Sequence, residues 1–481
     1  FDNISENIDT IREYGVVMRK TVSAGDEWGT FKTKYAKEQG ISASTLSYDY
    51  TVNPEAIRAF WRDSITRHKD TEAQWLFGMR GTGDEPFNTA NLSNSKWDKY
   101  GTNTQDRKAG LLSEIIADQI TVMQEVLGKD KTSKVCKAIL PYKEVLQLYN
   151  NSKFTLPSDM NVIWCDDNHG MVRSTPTASE RARSGGGIYY HASYWAPADQ
   201  SYLWMSSIPL SVMGEELNKC WKTNIRQIWV LNVGDIKPAE GEMDYFIRCG
   251  WDVDKYTNDS VGFSKEWLKR NFGNSMSDST VNEVADILNT FYHHTNVRKV
   301  EHMKLGIFEQ MNYNEWEKRM SVYQDLYNRA RTVANSLSSS AKTAFYELVQ
   351  CKMNWTYLTY KMFYYADKSN LAYKQGRMAS AQNFSDLSIK VEKQRKTEIA
   401  YYSEIANGKW KGLIDPENYS PPVTTQLPGT NPTLELGKAE MGVIVQGENM
   451  PKNKKSDLHF TQYNQDGKFI DIFNKGAGSV S

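Results

Sequence analysis

Cysteine is scarce and scattered: Cys136, Cys165, Cys220, Cys249 and Cys351 stand singly among 481 residues, with no CxxC pair. An odd, unpaired set of this kind argues against a disulfide scaffold and against a structural zinc site. A cysteine inside an apolar run, such as Cys165, reads as a small core residue. There is no apolar run of roughly 18 residues or more, the length a membrane-spanning helix needs. Neither sign of charge dominates, since 58 Lys and Arg balance 58 Asp and Glu. No global field would draw nucleic acid or an anionic membrane, and neither is expected as a partner. The segment at Phe1 has no initiating Met, no basic stretch and no apolar stretch of the signal-peptide kind, so any targeting segment is expected to lie outside this sequence.

Aromatic residues, by contrast, are plentiful at 12%, with 27 Tyr and 14 Trp. Flat rings with polar edges suit both sugar-binding surfaces and large cores. Hydrophobic residues at 40% against charged residues at 24% exclude a disordered chain, and the length predicts about three domains.

Up to about residue 250, short apolar runs alternate with helical patterns. The strand candidates are Tyr14–Met18, Leu46–Tyr48, Ala73–Met79, Ala138–Leu140, Asn161–Cys165, Gly187–Tyr190 and Gln227–Asn232. Between them, stretches such as Pro54–Arg67 and Lys108–Leu127 carry apolar residues on one helical face. Near-continuous apolar strands each followed by a helix describe a parallel sheet covered on both faces. Seven such units have the rhythm of an α/β fold of the TIM type, a (β/α)8 barrel whose opening strand is expected before Phe1. From about Phe263 the pattern becomes helical, over Val281–Phe291, Asn314–Leu337, Ser340–Ala366 and Asn370–Ala406. The Tyr/Met face formed by Tyr357, Tyr360, Met362, Tyr364 and Tyr365 reads as bundle core. Beyond Trp410 a proline-rich stretch leads to strand candidates Met441–Gln446, Leu458–Tyr463 and Phe469–Phe473. The expected organisation is a partial barrel over 1–260, a helical bundle over 261–412, and a linker with an incomplete β domain over 413–481.

In such a barrel the active site lies at the C-terminal strand ends. Five successive strand ends carry acids, amides, Tyr or His: Arg80 to Glu85, Tyr142 to Glu144, Asp166 to His169, His191 to Tyr194, and Asn232 to Asp235. Each residue has a plain structural reading as well. Arg80 could pair with Glu85, Glu144 with Lys143, Asp167 could close a turn, and His191 could be a satisfied core residue. Gly81-Thr82-Gly83 is too short for a phosphate loop and lacks its Lys-Ser/Thr. Gly185-Gly186-Gly187 precedes a strand, so a dinucleotide site does not follow. Several carboxyl groups with Tyr, Asn and Arg, and no Ser-His-Asp set or reactive Cys, favour glycoside hydrolysis. A fixed guanidinium such as Arg80 grips a carboxylate with two hydrogen bonds, which favours an acidic sugar. No cofactor and no metal are expected. A metal-dependent reading would use Asp84, Asp166 and Asp235, without a His cluster to support a transition metal.

The segments Gly78–Pro86 (GMRGTGDEP), Leu112–Gln119 (LSEIIADQ), Tyr142-Lys143-Glu144, Trp164–Asn168 (WCDDN), Arg183–His191 (RSGGGIYYH) and Val230–Lys237 (VLNVGDIK) resemble glycoside hydrolase family 115, the xylan α-glucuronidases. The resemblance runs in order over about residues 1–410. It implies an N-terminal α/β domain before Phe1, a longer β-rich region after Ser481, an inverting mechanism and a homodimer. It makes Glu144 the general acid and Asp84 the residue acting on water. It also puts Arg80, Tyr142, Asp166, Asn168, His191, Tyr194 and Asn232 on a glucuronic-acid pocket. Where the family resemblance leads one to expect a His-His-Glu-Pro-like segment after the first strand, this sequence reads Arg19–Trp28 (RKTVSAGDEW), so contacts on that side are expected to differ. The expected substrate is glucuronoxylan or its oligosaccharides, and a polymeric plant substrate implies a periplasmic or secreted enzyme. A carbohydrate-binding barrel without catalysis is the alternative of another class.

Overall fold

The computed structural model describes residues 7–15, 17–182, 185–196, 200–234 and 236–414, with the main chain of 457–465 and 468–475. Six strands make one sheet: β1 (Met18–Thr21), β2 (Ala73–Phe77), β3 (Cys136–Ile139), β4 (Asn161–Cys165), β5 (Gly186–His191) and β6 (Ile228–Asn232). They lie side by side in chain order, and each neighbouring pair from β1 to β5 is parallel. Each strand is followed by at least one helix, among them Pro54–His68, Thr104–Leu127, Leu210–Lys222 and Glu240–Trp251. This is the α/β alternation expected from continuous apolar strands. The centre of the sheet packs Leu76, Ala138 and Ile163 together, with Leu140, Tyr189 and Ile228 against them.

The sheet is curled. The Arg19 guanidinium on β1 stands 5.6 Å from the ring centroid of Tyr189 on β5. Four strand spacings in a flat sheet would separate these strands by about 19 Å, so the strands between them must bend around. Six strands, not a closed set of eight, are present in this sheet among the described residues.

Two of the expected strands differ. Helix Ile8–Glu13 runs into Gly15 at φ 63°, and β1 begins at Met18, not Tyr14, because Tyr14 is exposed and Met18 is the first buried residue among the described ones. Leu46–Tyr48 is irregular although Leu46 and Tyr48 are buried. Its main-chain groups find other partners: the Ser47 N–H donates to Asn53 Oδ1 at 2.9 Å, and the Tyr48 carbonyl accepts from Asn88 Nδ2 at 3.4 Å. A segment supplied in this way needs no partner strand.

The described chain divides into two compact units. The first comprises residues up to Asp167 with Met171–Tyr190 and Asn218–Val230; the second comprises Asn168–Gly170, His191–Leu217 and the residues from Leu231 onward. The second unit is rich in long helices, at Asp278–Val297, Glu315–Ser336, Cys351–Lys374 and Met378–Gly408. The expected break at 366–370 falls instead at Gly376, where φ is 75° and the N–H of Arg377 closes back on the Ala372 carbonyl at 2.9 Å. Tyr357, Tyr360 and Met362 are buried and Tyr364 and Tyr365 half-buried, as bundle-core residues should be. At the far end β7 (Asp457–Gln465) and β8 (Lys468–Lys475) form an antiparallel hairpin; the candidate Met441–Gln446 lies outside the described residues.

Candidate active site

The C-terminal ends of β2 and β3 carry a polar cluster of the first unit that joins Arg80 to Glu144. After β2 the chain turns at Gly78, whose φ of 108° is open to glycine and strained for other residues. The turn is held from behind by Gln119, a fully buried side chain on helix Thr104–Leu127. Its amide accepts from the Gly78 N–H and donates to the Gly78 carbonyl, both at 2.9 Å. The next loop is closed by a 2.7 Å bond from the Gly81 N–H to the Glu85 carbonyl. A Cβ at Gly25 would come within 2.7 Å of the Gly81 carbonyl oxygen, so the loop after β1 touches this one backbone to backbone.

Arg80 leaves this turn and meets Glu144. Its Nε donates to Glu144 Oε1 at 2.9 Å and its Nη2 to Oε2 at 3.0 Å, a two-bonded fork of the strong, charge-assisted kind. Both side chains keep about a quarter of their surface open, 23% and 26%, so a ligand can reach the pair. Glu144 opens the short helix Glu144–Tyr149, and the residue before it, Lys143, sits at φ 52° and ψ −126°. A non-glycine residue in that region is strained, and such strain collects at functional sites. The Lys143 ammonium stands 5.4 Å from the centroid of the Tyr142 ring. Tyr142 in turn meets Tyr189 edge to face at 5.9 Å, so Arg19, Tyr189 and Tyr142 form one continuous contact line.

Asp166 is buried at the end of β4, where its N–H continues the ladder to the Tyr189 carbonyl at 3.3 Å. Asp167 closes a turn: it accepts the Met171 N–H at 3.1 Å and pairs with Arg173 at 2.8 Å. The main chain of Asp84 ends a short 3-10 turn, Thr82–Asp84, and its side chain lies outside the described residues, as does Asp235. Among the described residues no group of three or more His, Cys, Asp or Glu side chains is placed to hold a metal ion.

In the second unit the remaining candidates gather on an aromatic face. Asn168 adopts the left-handed conformation, φ 69°, which Asn tolerates better than most residues. Its carbonyl accepts the Tyr202 hydroxyl at 2.5 Å. His169 stacks on Tyr202 with centroids 5.5 Å apart, and also touches Tyr194 and His302. His191, fully buried, meets Tyr194 edge to face at 5.5 Å. Tyr194 and Tyr202 are tied by a two-way main-chain bridge at 3.1 and 3.0 Å. Asn232 uses its carbonyl to collect the N–H groups of Ala192 and Ser193, at 2.9 and 3.3 Å.

Behind this face lies Glu301, fully buried, whose carboxylate accepts the main-chain N–H groups of Leu203, Trp204 and Met205 at 2.8, 2.6 and 3.0 Å. Burial pushes its carboxyl up to about 8, against the pull of those donors and of Lys299. Lys299 Nζ reaches Ser207 Oγ at 2.8 Å and stands 4.1 Å from the Tyr202 centroid. His302, held by the Ser201 carbonyl at 3.0 Å, is pulled down to about 4 by burial and then by Lys299. A cavity of about 320 Å³ opens here, lined by His169, Asn296, Arg298, Lys299 and His302 among others.

The structure therefore brings Arg80 and Glu144 together with Tyr142 beside them, and separately joins Asn168, His191 and Tyr194 through shared rings. Sequence reasoning passed over Gln119, Tyr189, Tyr202 and Glu301. Gln119 closes a recognised motif, and Tyr189 lies in another, but their roles depend on partners far away in the chain. Tyr202 and Glu301 carried no motif at all.

A carboxyl group and a guanidinium thus meet at neighbouring strand ends of a parallel α/β sheet, with tyrosines alongside. The chain belongs to glycosyl hydrolase family 115, whose model matches residues 1–302. A solved structure described as a family GH115 4-O-methyl-α-glucuronidase, BtGH115A, with specificity for decorated arabinogalactans, is similar in fold, with a TM-score of 0.73 at 24% identity over 89% of this chain. The chain spans about half of that one, 54%. No curated protein matches the sequence.

Proposed function

We propose that this chain carries the site of an α-glucuronidase that removes glucuronic or 4-O-methyl-glucuronic acid side chains from glucuronoxylan with inversion. The observation that carries this reading is the Arg80–Glu144 fork at adjacent strand ends, at 2.9 and 3.0 Å. Arg80 is the group that grips the uronate carboxylate, because its planar guanidinium matches a carboxylate and its side chain stays about a quarter exposed beside Glu144, at 23%. Glu144 is the general acid that protonates the leaving xylose oxygen, and Asp84 the base that activates water. Tyr142 and Asp166 of the first unit contact the sugar, and the family resemblance alone assigns Asn168, His191, Tyr194 and Asn232 to it. The enzyme is a dimer that acts in the periplasm or outside the cell, where polymeric xylan is met.

The test is incubation with glucuronoxylan, following released uronic acid by proton NMR. The first-formed product should be the β-anomer, since inversion turns the α-linkage over. Appearance of the α-anomer first would exclude inversion. A decorated arabinogalactan belongs in the same experiment, because that is the specificity named for the structurally similar enzyme. The alternative, a sugar-binding protein without catalysis, is favoured by the Arg19–Trp28 segment that replaces the expected His-His-Glu-Pro-like one. Such a protein binds these glycans and releases nothing.

A further inference from the structure

The two roles assigned to Arg80 and Glu144 are incompatible with the bonds these residues make to each other. With both oxygens accepting from the guanidinium, Glu144 has no proton to donate. With Nε and Nη2 committed to Glu144, the edge of Arg80 best suited to a carboxylate is occupied. Both side chains are partly open, and the strained main chain at Lys143 ties Glu144 to a turn rather than to the rigid middle of an element.

We infer that a uronate carboxylate displaces Glu144 from Arg80, and that this exchange loads Glu144 with the proton it later gives to the leaving group. The inference rests on the reading of the site proposed above. Two N–H···O bonds from Arg80 to Glu144 break, and two from Arg80 to the substrate carboxylate form. Glu144 then faces a second carboxylate without its guanidinium partner, and two carboxylates sharing a site take up a proton. That proton comes from solvent on binding. It passes to the glycosidic oxygen as the C1–O bond breaks, while water adds to C1 and gives up its own proton to the base. Among the described residues, Tyr142 and Lys143, whose ammonium lies over the Tyr142 ring, directly precede Glu144 in the chain; the Asp84 side chain is outside the described residues.

The consequence for specificity is direct. A neutral sugar of the same shape brings nothing to replace Glu144 on the fork, so it leaves the acid unprotonated even when bound. A uronate is recognised and the enzyme armed in one event.

Calorimetry of glucuronate binding at neutral pH, in buffers of different ionisation enthalpy, reads the exchange. The parent should take up about one proton per glucuronate bound. Glu144→Gln keeps the side-chain shape but removes the competing charge, so it should take up none and bind glucuronate more tightly, by about tenfold, the scale of one lost charge-assisted bond. Glucose, offered as the neutral probe, should bind weakly and move no proton in either protein. Binding of glucuronate to the parent without proton uptake, with equal or weaker affinity in Glu144→Gln, would overturn the exchange and leave the proposed function standing. If glucuronate fails to bind the parent at all, the proposed function falls and the exchange falls with it.

Discussion

The side-chain amide of Gln119 makes with Gly78 the pair of hydrogen bonds that an adjacent peptide unit would make, although the two residues are 41 positions apart. Gly78 stands two residues before Arg80, so the amide fixes the turn from which the guanidinium projects.

Gln119→Leu should leave a buried N–H and a buried carbonyl without partners. Each such group costs about 1–3 kcal/mol, so a loss of about 3 kcal/mol in unfolding free energy is expected from the denaturant midpoint. A loss below about 1 kcal/mol would mean that solvent reaches the Gly78 peptide.

Arg80→Lys keeps the charge and removes the planar fork. Affinity for glucuronate should fall by about 2 kcal/mol, roughly thirtyfold. Equal affinity in the variant and the parent would show that the uronate carboxylate is held elsewhere.

Glu144→Gln should nearly abolish release of uronic acid from glucuronoxylan, whose leaving alcohol needs a proton. It should do much less harm with glucuronosyl fluoride, which departs unassisted. Similar losses on both substrates would assign Glu144 a binding role and move the acid to another carboxyl group, such as Asp84 or Asp166.

His302 gives a pH signature. Its imidazole is pulled from 6.5 down to about 4 in the folded chain, so above pH 6.5 both folded and unfolded forms are neutral and stability is intact. As pH falls from 6.5 toward 4 the unfolded chain takes up the proton first, and stability is lost over that window. His302→Gln should flatten this part of the stability–pH curve. An unchanged slope in the variant would assign the acid sensitivity to other groups.

Lys143→Gly should be neutral or stabilising, by up to about 1 kcal/mol, because glycine relieves the strain at φ 52° while giving back part of the gain as chain entropy. Lys143→Ala relieves nothing. Thermal melting of the two variants side by side distinguishes the backbone effect from loss of the ammonium.

What was legible in the sequence was local. Asn161–Cys165 is a strand with the bounds its apolar run predicts; the helix Asp278–Val297 encloses the stretch Val281–Phe291, and the helix Glu315–Ser336 falls one residue short of Asn314–Leu337 at each end. The motifs at the strand ends pointed to the glycoside hydrolase family for the same reason: side-chain chemistry and periodicity are properties of neighbouring residues. Leu46–Tyr48 shows the limit of this logic. Its apolar residues are buried as a strand's would be, yet the side chains of Asn53 and Asn88 partner its main-chain groups, so no strand forms. The pairing of Arg80 with Glu144 across 64 residues, where Glu85 and Lys143 were the nearer partners, came from the order and curl of the strands. So did the meeting of Arg19 with Tyr189. Contacts of this kind depend on which strand ends the folded sheet brings together, and no local pattern in the chain encodes that distance.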